Sequence, residues 1–232
     1  MTTRRRGPFR VLLLAGTVAG SLALLVGCST SVTAATPTST SSPSSSSASS
    51  IPIRFAAVGD SLTSGITGAN IAEGENSGSW VHYALGGRLE FAGGWSVPGT
   101  TIEEQAAHVA KMSDVDVLVV LSGTNDVRHG ETFGHAEASY ADVVATTDPE
   151  RVLIAAIPPL TAAPDAAREY NTRLAAFATA HGWTFFDPWG FARDGDDWKA
   201  GVSTDGIHPT LAGYERLGAS LRSEILRVGA SG

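Results

Sequence analysis

A single cysteine, Cys28, stands in 232 residues, so the chain cannot close an internal disulfide and its stability rests on packing. Histidine and cysteine nowhere cluster at metal-ligand spacing, and neither a metal nor a cofactor is expected. Basic residues are scarce beyond the N-terminus. Four of the 16 Lys and Arg lie in residues 1–27, which hold no acid, and the remaining 12 face 23 acidic residues, a net charge of −11. A surface of that sign excludes nucleic acid as a partner, because phosphate backbones are bound by a basic footprint. The Gly-x-Gly-x-x-Gly that a nucleotide-binding sheet carries after its first strand is also missing, and Asp60-Ser61 stands where close approach to a phosphate would be needed. No internal repeat is present. What remains, at 43% hydrophobic residues, suffices for one core and one domain of ordinary size.

Three compositional zones divide the chain. Arg4, Arg5, Arg6 and Arg10 precede an apolar segment, residues 11–27, that closes on Leu25-Val26-Gly27-Cys28, the order of a secretory leader. Residues 1–27 are therefore expected to be a signal peptide. Leu-Val-Gly-Cys resembles the bacterial lipobox, and the resemblance implies that Cys28 is diacylated and becomes the mature N-terminus; the alternative is an uncleaved anchor with Cys28 as a buried thiol. Paired acyl chains hold a protein on a membrane where one chain does not, which places the protein on the outer face of a bacterial cell membrane. Residues 28–50 are almost entirely Ser, Thr, Ala and Pro, without charge, and read as a flexible tether.

From residue 51 to 232, strand and helix patterns alternate. Ile53 to Val58 reads as the first strand, Trp80 to Phe91 as a helix, and Trp95 to Val97 as a short second strand. Ile102 to Met112 follows as a helix, and the apolar run Val115 to Leu121 as a central strand buried on both faces. Ala136 to Ala145 is helical, Val152 to Ile157 a fourth strand stopped by Pro158-Pro159, and Pro164 opens a helix that Gly182 ends. Trp183 to Phe186 is a fifth strand, and the spacing of Leu211, Tyr214, Leu217, Leu221, Ile225 and Val228 predicts a closing amphipathic helix. The expected fold is α/β, a three-layer α/β/α sandwich around a five-stranded parallel sheet.

Chemistry-bearing residues sit just beyond the ends of these strands. Gly59-Asp60-Ser61-Leu62 follows the first, Gly99 the second, Gly123-Thr124-Asn125-Asp126 the third, and Asp205-Gly206-Ile207-His208-Pro209 precedes the last helix. In this order they resemble the four signature blocks of the SGNH hydrolases, also called GDSL esterases and lipases. The resemblance spans residues 53 to about 226 and implies the flavodoxin-like fold of that superfamily. It also implies that Ser61 is the nucleophile, that His208 is its base, and that Gly99 and Asn125 join Ser61 in the oxyanion hole.

The residues themselves lead to the same chemistry. Strand ends at the carboxyl edge of a parallel sheet face one crevice, so the N–H groups of Ser61 and Gly99 and the amide of Asn125 can converge on an oxygen that gains charge. Gly99 is expected to let backbone approach the substrate unobstructed. Asp205 and His208, three apart, can share one side of a turn, with Asp205 orienting the ring that takes the Ser61 proton. Asp60, Gly123 and Asp126 are expected to organise the surrounding turns rather than move protons. His129 is the one other histidine near enough to Asn125 to line the cleft. Trp198 either walls the cleft or packs beneath its own loop.

The leading expectation is a cell-surface serine esterase working through an acyl-serine, on short acyl groups such as O-acetyl on glycans, because no long insertion follows any strand. A lipase or thioesterase, a glycan O-acyltransferase and a non-catalytic glycan-binding lipoprotein are the alternatives. Its partners are the ester substrate and, through Cys28, the membrane.

Overall fold

A computed structural model describes residues 51–74 and 76–231. The expected leader, Cys28 and the tether lie outside the described residues. Strand β1 (Ile53–Gly59) continues into a one-turn helix α1 (Ser61–Ser64), and a single 3-10 turn (Ile71–Glu73) precedes α2 (Trp80–Ala84). Then come β2 (Leu89–Ser96), α3 (Ile102–His108), β3 (Val117–Leu121), α4 (Thr124–Arg128) and α5 (Phe133–Thr147). The remainder is β4 (Arg151–Ala155), α6 (Pro164–Ala180), β5 (Thr184–Phe186), a small hairpin of β6 (Arg193–Asp194) and β7 (Asp197–Trp198), and α7 (Leu211–Gly229).

The five main strands form one parallel sheet in the order β2-β1-β3-β4-β5. Their side chains alternate between two cores. Phe55 and Ala57 of β1, with Val117, Val119 and Leu121 of β3, pack on Trp80 and Val81 of α2 and on Leu217, Leu221 and Ile225 of α7. Ala56 and Val58, with Leu118 and Val120, face Ile102 of α3, Tyr140 and Val143 of α5, and Tyr170 and Leu174 of α6. Both faces of β1 and β3 are thus buried, which is why residues 55–58 and Val117–Leu121 read as unbroken apolar runs. Two helical layers around one parallel sheet make the three-layer sandwich expected from the sequence.

Three elements differ from expectation. The helix expected over Trp80 to Phe91 ends at Ala84, because Gly86 and Gly87 take φ values of 108° and 61°. The backbone then turns, and Leu89 and Phe91 belong to a second strand of eight residues rather than three. Helix α3 stops at His108, short of Met112. Arg222 of α7 covers the end of α2, donating to the carbonyls of Ala84 and Leu85, so the carbonyls left over by the early stop are satisfied by a side chain.

What positions the functional residues is the register. Gly59, the last residue of β1, pairs with Ser96, the last of β2, and with Leu121, the last of β3. Three neighbouring strands therefore end level, and the loops carrying Ser61, Gly99 and Asn125 leave the sheet side by side. Strand order reverses across β1, the topological switch point at which open α/β sheets place their ligands.

Candidate active site

The turn from β1 into α1 is tight. A Cβ on Gly59 would lie 2.3 Å from Thr63 Oγ1 and 2.5 Å from the Leu121 carbonyl oxygen, so only glycine fits. Asp60 caps α1 by accepting the Leu62 N–H on Oδ1 at 2.9 Å. Ser61 is the first residue of that helix, where its N–H has no intrahelical acceptor. The Ser61 hydroxyl lies 2.8 Å from His208 Nε2, across 147 residues of sequence.

The far side of the imidazole is held by Asp205, whose Oδ2 lies 2.7 Å from His208 Nδ1. Asp205 Oδ1 accepts the backbone N–H groups of Ile207 at 2.9 Å and His208 at 2.8 Å. Partial burial works against ionising Asp205, but the bonds from the His208 ring and from the two backbone N–H groups prevail and hold its carboxyl well below the usual carboxylate range. An ionised carboxylate only accepts, so Nδ1 carries the proton and Nε2 presents its lone pair to Ser61. Ser61, His208 and Asp205 form one continuous hydrogen-bonded chain.

Gly99 has φ of 84°, in the left-handed region, and a Cβ placed on it would meet nothing within 4 Å. Backbone conformation, together with open space over the residue, accounts for glycine here. Asn125 is buried on α4, whose first turn is entered through Gly123; a Cβ on Gly123 would meet the Tyr170 ring at 2.3 Å. The Asn125 amide is engaged on every side. Its Nδ2 donates to Asp60 Oδ2 at 3.1 Å and to the Thr100 carbonyl at 3.0 Å, and its Oδ1 accepts from Arg128 Nη1 at 2.9 Å. The Thr100 carbonyl belongs to the residue after Gly99, so one N–H of Asn125 already lies against the loop that carries the Gly99 N–H. Serving an oxyanion there exchanges one acceptor for another.

Asp126 accepts the Ile102 N–H at 3.3 Å and so ties α4 to the start of α3. Asp60 and Asp126 thus each accept a backbone N–H, Asp60 within its own turn and Asp126 from the start of α3. Burial pushes the Asp60 carboxyl up to about 7, against the Leu62 N–H, which lowers it, and with the help of Asp126 nearby. Burial likewise pushes Asp126 up to about 6.

An acid whose pKa is raised by folding binds its proton more tightly in the native state, so stability falls as pH rises from the ordinary value of 3.8 to about 7. At about 1.4 kcal/mol per pH unit for one fully linked proton, the melting temperature is expected to drop measurably between pH 5 and pH 8. Thermal melts of Asp60→Asn should show a flatter dependence; parallel slopes in the variant and the wild type would refute the assignment.

His129 is exposed at the end of α4, and its charged form would favour ionisation of Asp126. His135 pairs with Glu103 at 3.3 Å, a partner that sequence spacing did not suggest. Trp198 packs edge-on against the buried Trp189, at 5.7 Å between ring centres and 79° between planes, and lines a groove with Thr161, Ser203 and Asp205. Ser61 does not line that groove, and the Trp198 ring packs on the core beside Trp189. Further contacts around the site were not part of the sequence expectation: Asp60, Arg128 and the Thr100 carbonyl on the Asn125 amide, and the Tyr214 hydroxyl 3.4 Å from the Ser61 carbonyl. Only Arg128 carried a legible signal, since residues three apart on a helix are neighbours.

A family model described as GDSL-like Lipase/Acylhydrolase matches residues 57–216. The chain belongs to this family. The match runs from β1 into α7 and contains every residue of the hydrogen-bonded chain described above. A comparison with curated proteins finds no match. Solved structures share the fold. The native aryl esterase of M. smegmatis is 21% identical with a TM-score of 0.55, covering 75% of this chain and 99% of its own. A GDSL-like lipase from Bacteroides thetaiotaomicron is 19% identical with a TM-score of 0.55, covering 75% and 88%. A carbohydrate esterase family 3 protein from Talaromyces cellulolyticus is 16% identical with a TM-score of 0.58, covering 78% and 99%. As a GDSL-like acylhydrolase, the protein is a carboxylic ester hydrolase.

Proposed function

We propose that Ser61 attacks the ester carbonyl and carries the acyl group, that the substrate acyl group is short, and that the alcohol is a glycan hydroxyl. The observation that carries the reading is the hydrogen-bonded run from Ser61 through His208 to Asp205. In the first half-reaction His208 Nε2 takes the Ser61 proton as the Oγ–carbon bond forms, then returns it to the departing alcohol. In the second, His208 takes a proton from water as it attacks the acyl-serine, then returns that proton to Ser61 Oγ as the acyl–oxygen bond breaks and the acid leaves. Charge on the carbonyl oxygen is met by the N–H groups of Ser61 and Gly99 and by the Asn125 amide.

Two features support a short acyl group. The space over Gly99 is open, and β1 and β3 each pass almost directly into a one-turn helix, α1 and α4, before their connections continue. The likeness of fold to a carbohydrate esterase supports a glycan alcohol. Diacylation at Cys28 and the uncharged tether place the domain on the outer face of the cell membrane, within reach of envelope or environmental polysaccharide; loss of lipid labelling in Cys28→Ser is the check on the anchor. A chain-length series of p-nitrophenyl esters, run beside acetylated glycans, tests the substrate reading. Acetyl and propionyl esters should give the highest kcat/KM and acetate should be released from the glycan. A rising kcat/KM toward octanoyl and longer chains would instead identify a lipase.

A further inference from the structure

The side-chain oxygen and nitrogen of an asparagine are almost the same size, so shape alone does not decide which of them faces a cleft. At Asn125 the choice is made by the neighbours. On one side stand Asp60 Oδ2 and the Thr100 carbonyl, at 3.1 Å and 3.0 Å; on the other stands Arg128 Nη1, at 2.9 Å. A guanidinium has five N–H donors and no acceptor at any working pH. We propose that Arg128 is a positioning residue for the oxyanion hole, fixing the Asn125 amide with its N–H groups toward the cleft and sharpening them as donors. The inference rests on the esterase reading above.

The requirement for Arg128 comes from the other two partners. Asp60, buried and pushed up to about 7, carries a proton part of the time near neutrality, and a protonated carboxyl can donate to an amide oxygen as readily as an ionised one accepts from an amide nitrogen. Asp60 therefore cannot hold the orientation by itself. The Thr100 carbonyl favours the observed orientation, but it is also the acceptor that must yield the amide hydrogen when an oxyanion forms. Arg128 is the partner whose preference stays fixed while the other two change. Its charge on Oδ1 also draws electron density from the amide, so the N–H groups on the opposite side become stronger donors where negative charge develops.

Arg128 ends α4 and is exposed, one helical turn beyond Asn125. Substituting it removes no core packing. It also makes a contact that Lys can approach but not copy, since an ammonium on a flexible stem lacks the planar fork of a guanidinium.

The experiment measures kcat and KM of the full chain on p-nitrophenyl acetate for wild type, Arg128→Met, Arg128→Lys, Asn125→Ala and the double variant Asn125→Ala/Arg128→Met. Removing one oxyanion donor costs about 10²- to 10³-fold in turnover, and loosening it should cost about 10- to 100-fold. Arg128→Met is therefore expected to lose that much kcat with KM within about twofold, Arg128→Lys to recover part of it, and Arg128→Met to cost nothing further once Asn125 is alanine. Unchanged kcat in Arg128→Met would overturn the proposal. So would a loss expressed as raised KM, or a loss of the same size in the Asn125→Ala background. Wild-type hydrolysis matched by Ser61→Ala would instead sink the esterase reading itself.

Discussion

Ser61→Ala is expected to lower kcat/KM on p-nitrophenyl acetate by about 10⁴-fold or more, leaving only the rate that binding and the oxyanion donors provide. The size of the effect follows from the geometry. Among the described residues, Ser61 Oγ is the one nucleophile within hydrogen-bond reach of His208 Nε2, and an unassisted water would have to find the position it vacates. The fold itself should be untouched. The turn is built by Gly59, by the Asp60 cap and by the backbone of α1, none of which uses the Ser61 hydroxyl. The circular dichroism spectrum and melting temperature should therefore match wild type, and activity within tenfold of wild type would remove Ser61 from the mechanism.

The second large effect concerns Asp205, and its sign is unusual. Asp205→Asn is expected to be more damaging than Asp205→Ala. Two backbone N–H groups, from Ile207 and His208, point at Oδ1 and would hold the amide oxygen of an asparagine in that place. Its NH₂ would then face His208 Nδ1 and require that nitrogen to accept, which moves the ring proton to Nε2 and takes away the lone pair needed by Ser61. Trapping the wrong tautomer in this way costs about 10⁴-fold in comparable triads. Alanine imposes no tautomer. The Asp205 side chain is about half exposed (48%), so water can reach the vacated Nδ1, and Asp205→Ala should retain at least about tenfold more activity than Asp205→Asn. Steady-state kinetics on the two variants checks the order; equal losses would mean that Asp205 acts by charge alone.

Much of this site could be read from the chain because it is built on strand ends. The central strands are apolar on both faces, so their limits at Gly59 and Leu121 stand out, and level strand ends make residues 64 positions apart, Ser61 and Asn125, into neighbours. The three-residue spacing of Asp205 and His208 is local and survived folding unchanged. The end of α2 is hidden in the sequence because an apolar pattern continues through Gly86 and Gly87, and the positive φ of both belongs to the backbone rather than to hydrophobic periodicity. The length of β2 is hidden because it lies at the sheet edge, where only its ends are buried and the apolar signal is weak. Apart from Arg128, the clasp around Asn125 was not legible: Asp60 reaches it over 65 residues, and the Thr100 contact uses a carbonyl, which every residue type possesses.

The most direct test of the central claim is covalent. A p-nitrophenyl phosphonate should be attacked by the serine that is acylated in turnover, which expels p-nitrophenol and leaves a stable phosphonyl ester that peptide mass mapping can locate. One equivalent of p-nitrophenol, a single adduct on the peptide bearing Ser61, and full loss of ester hydrolysis as that adduct forms are the predicted results. An adduct on another residue, or carboxylic ester hydrolysis that persists after Ser61 is fully modified, would contradict the account.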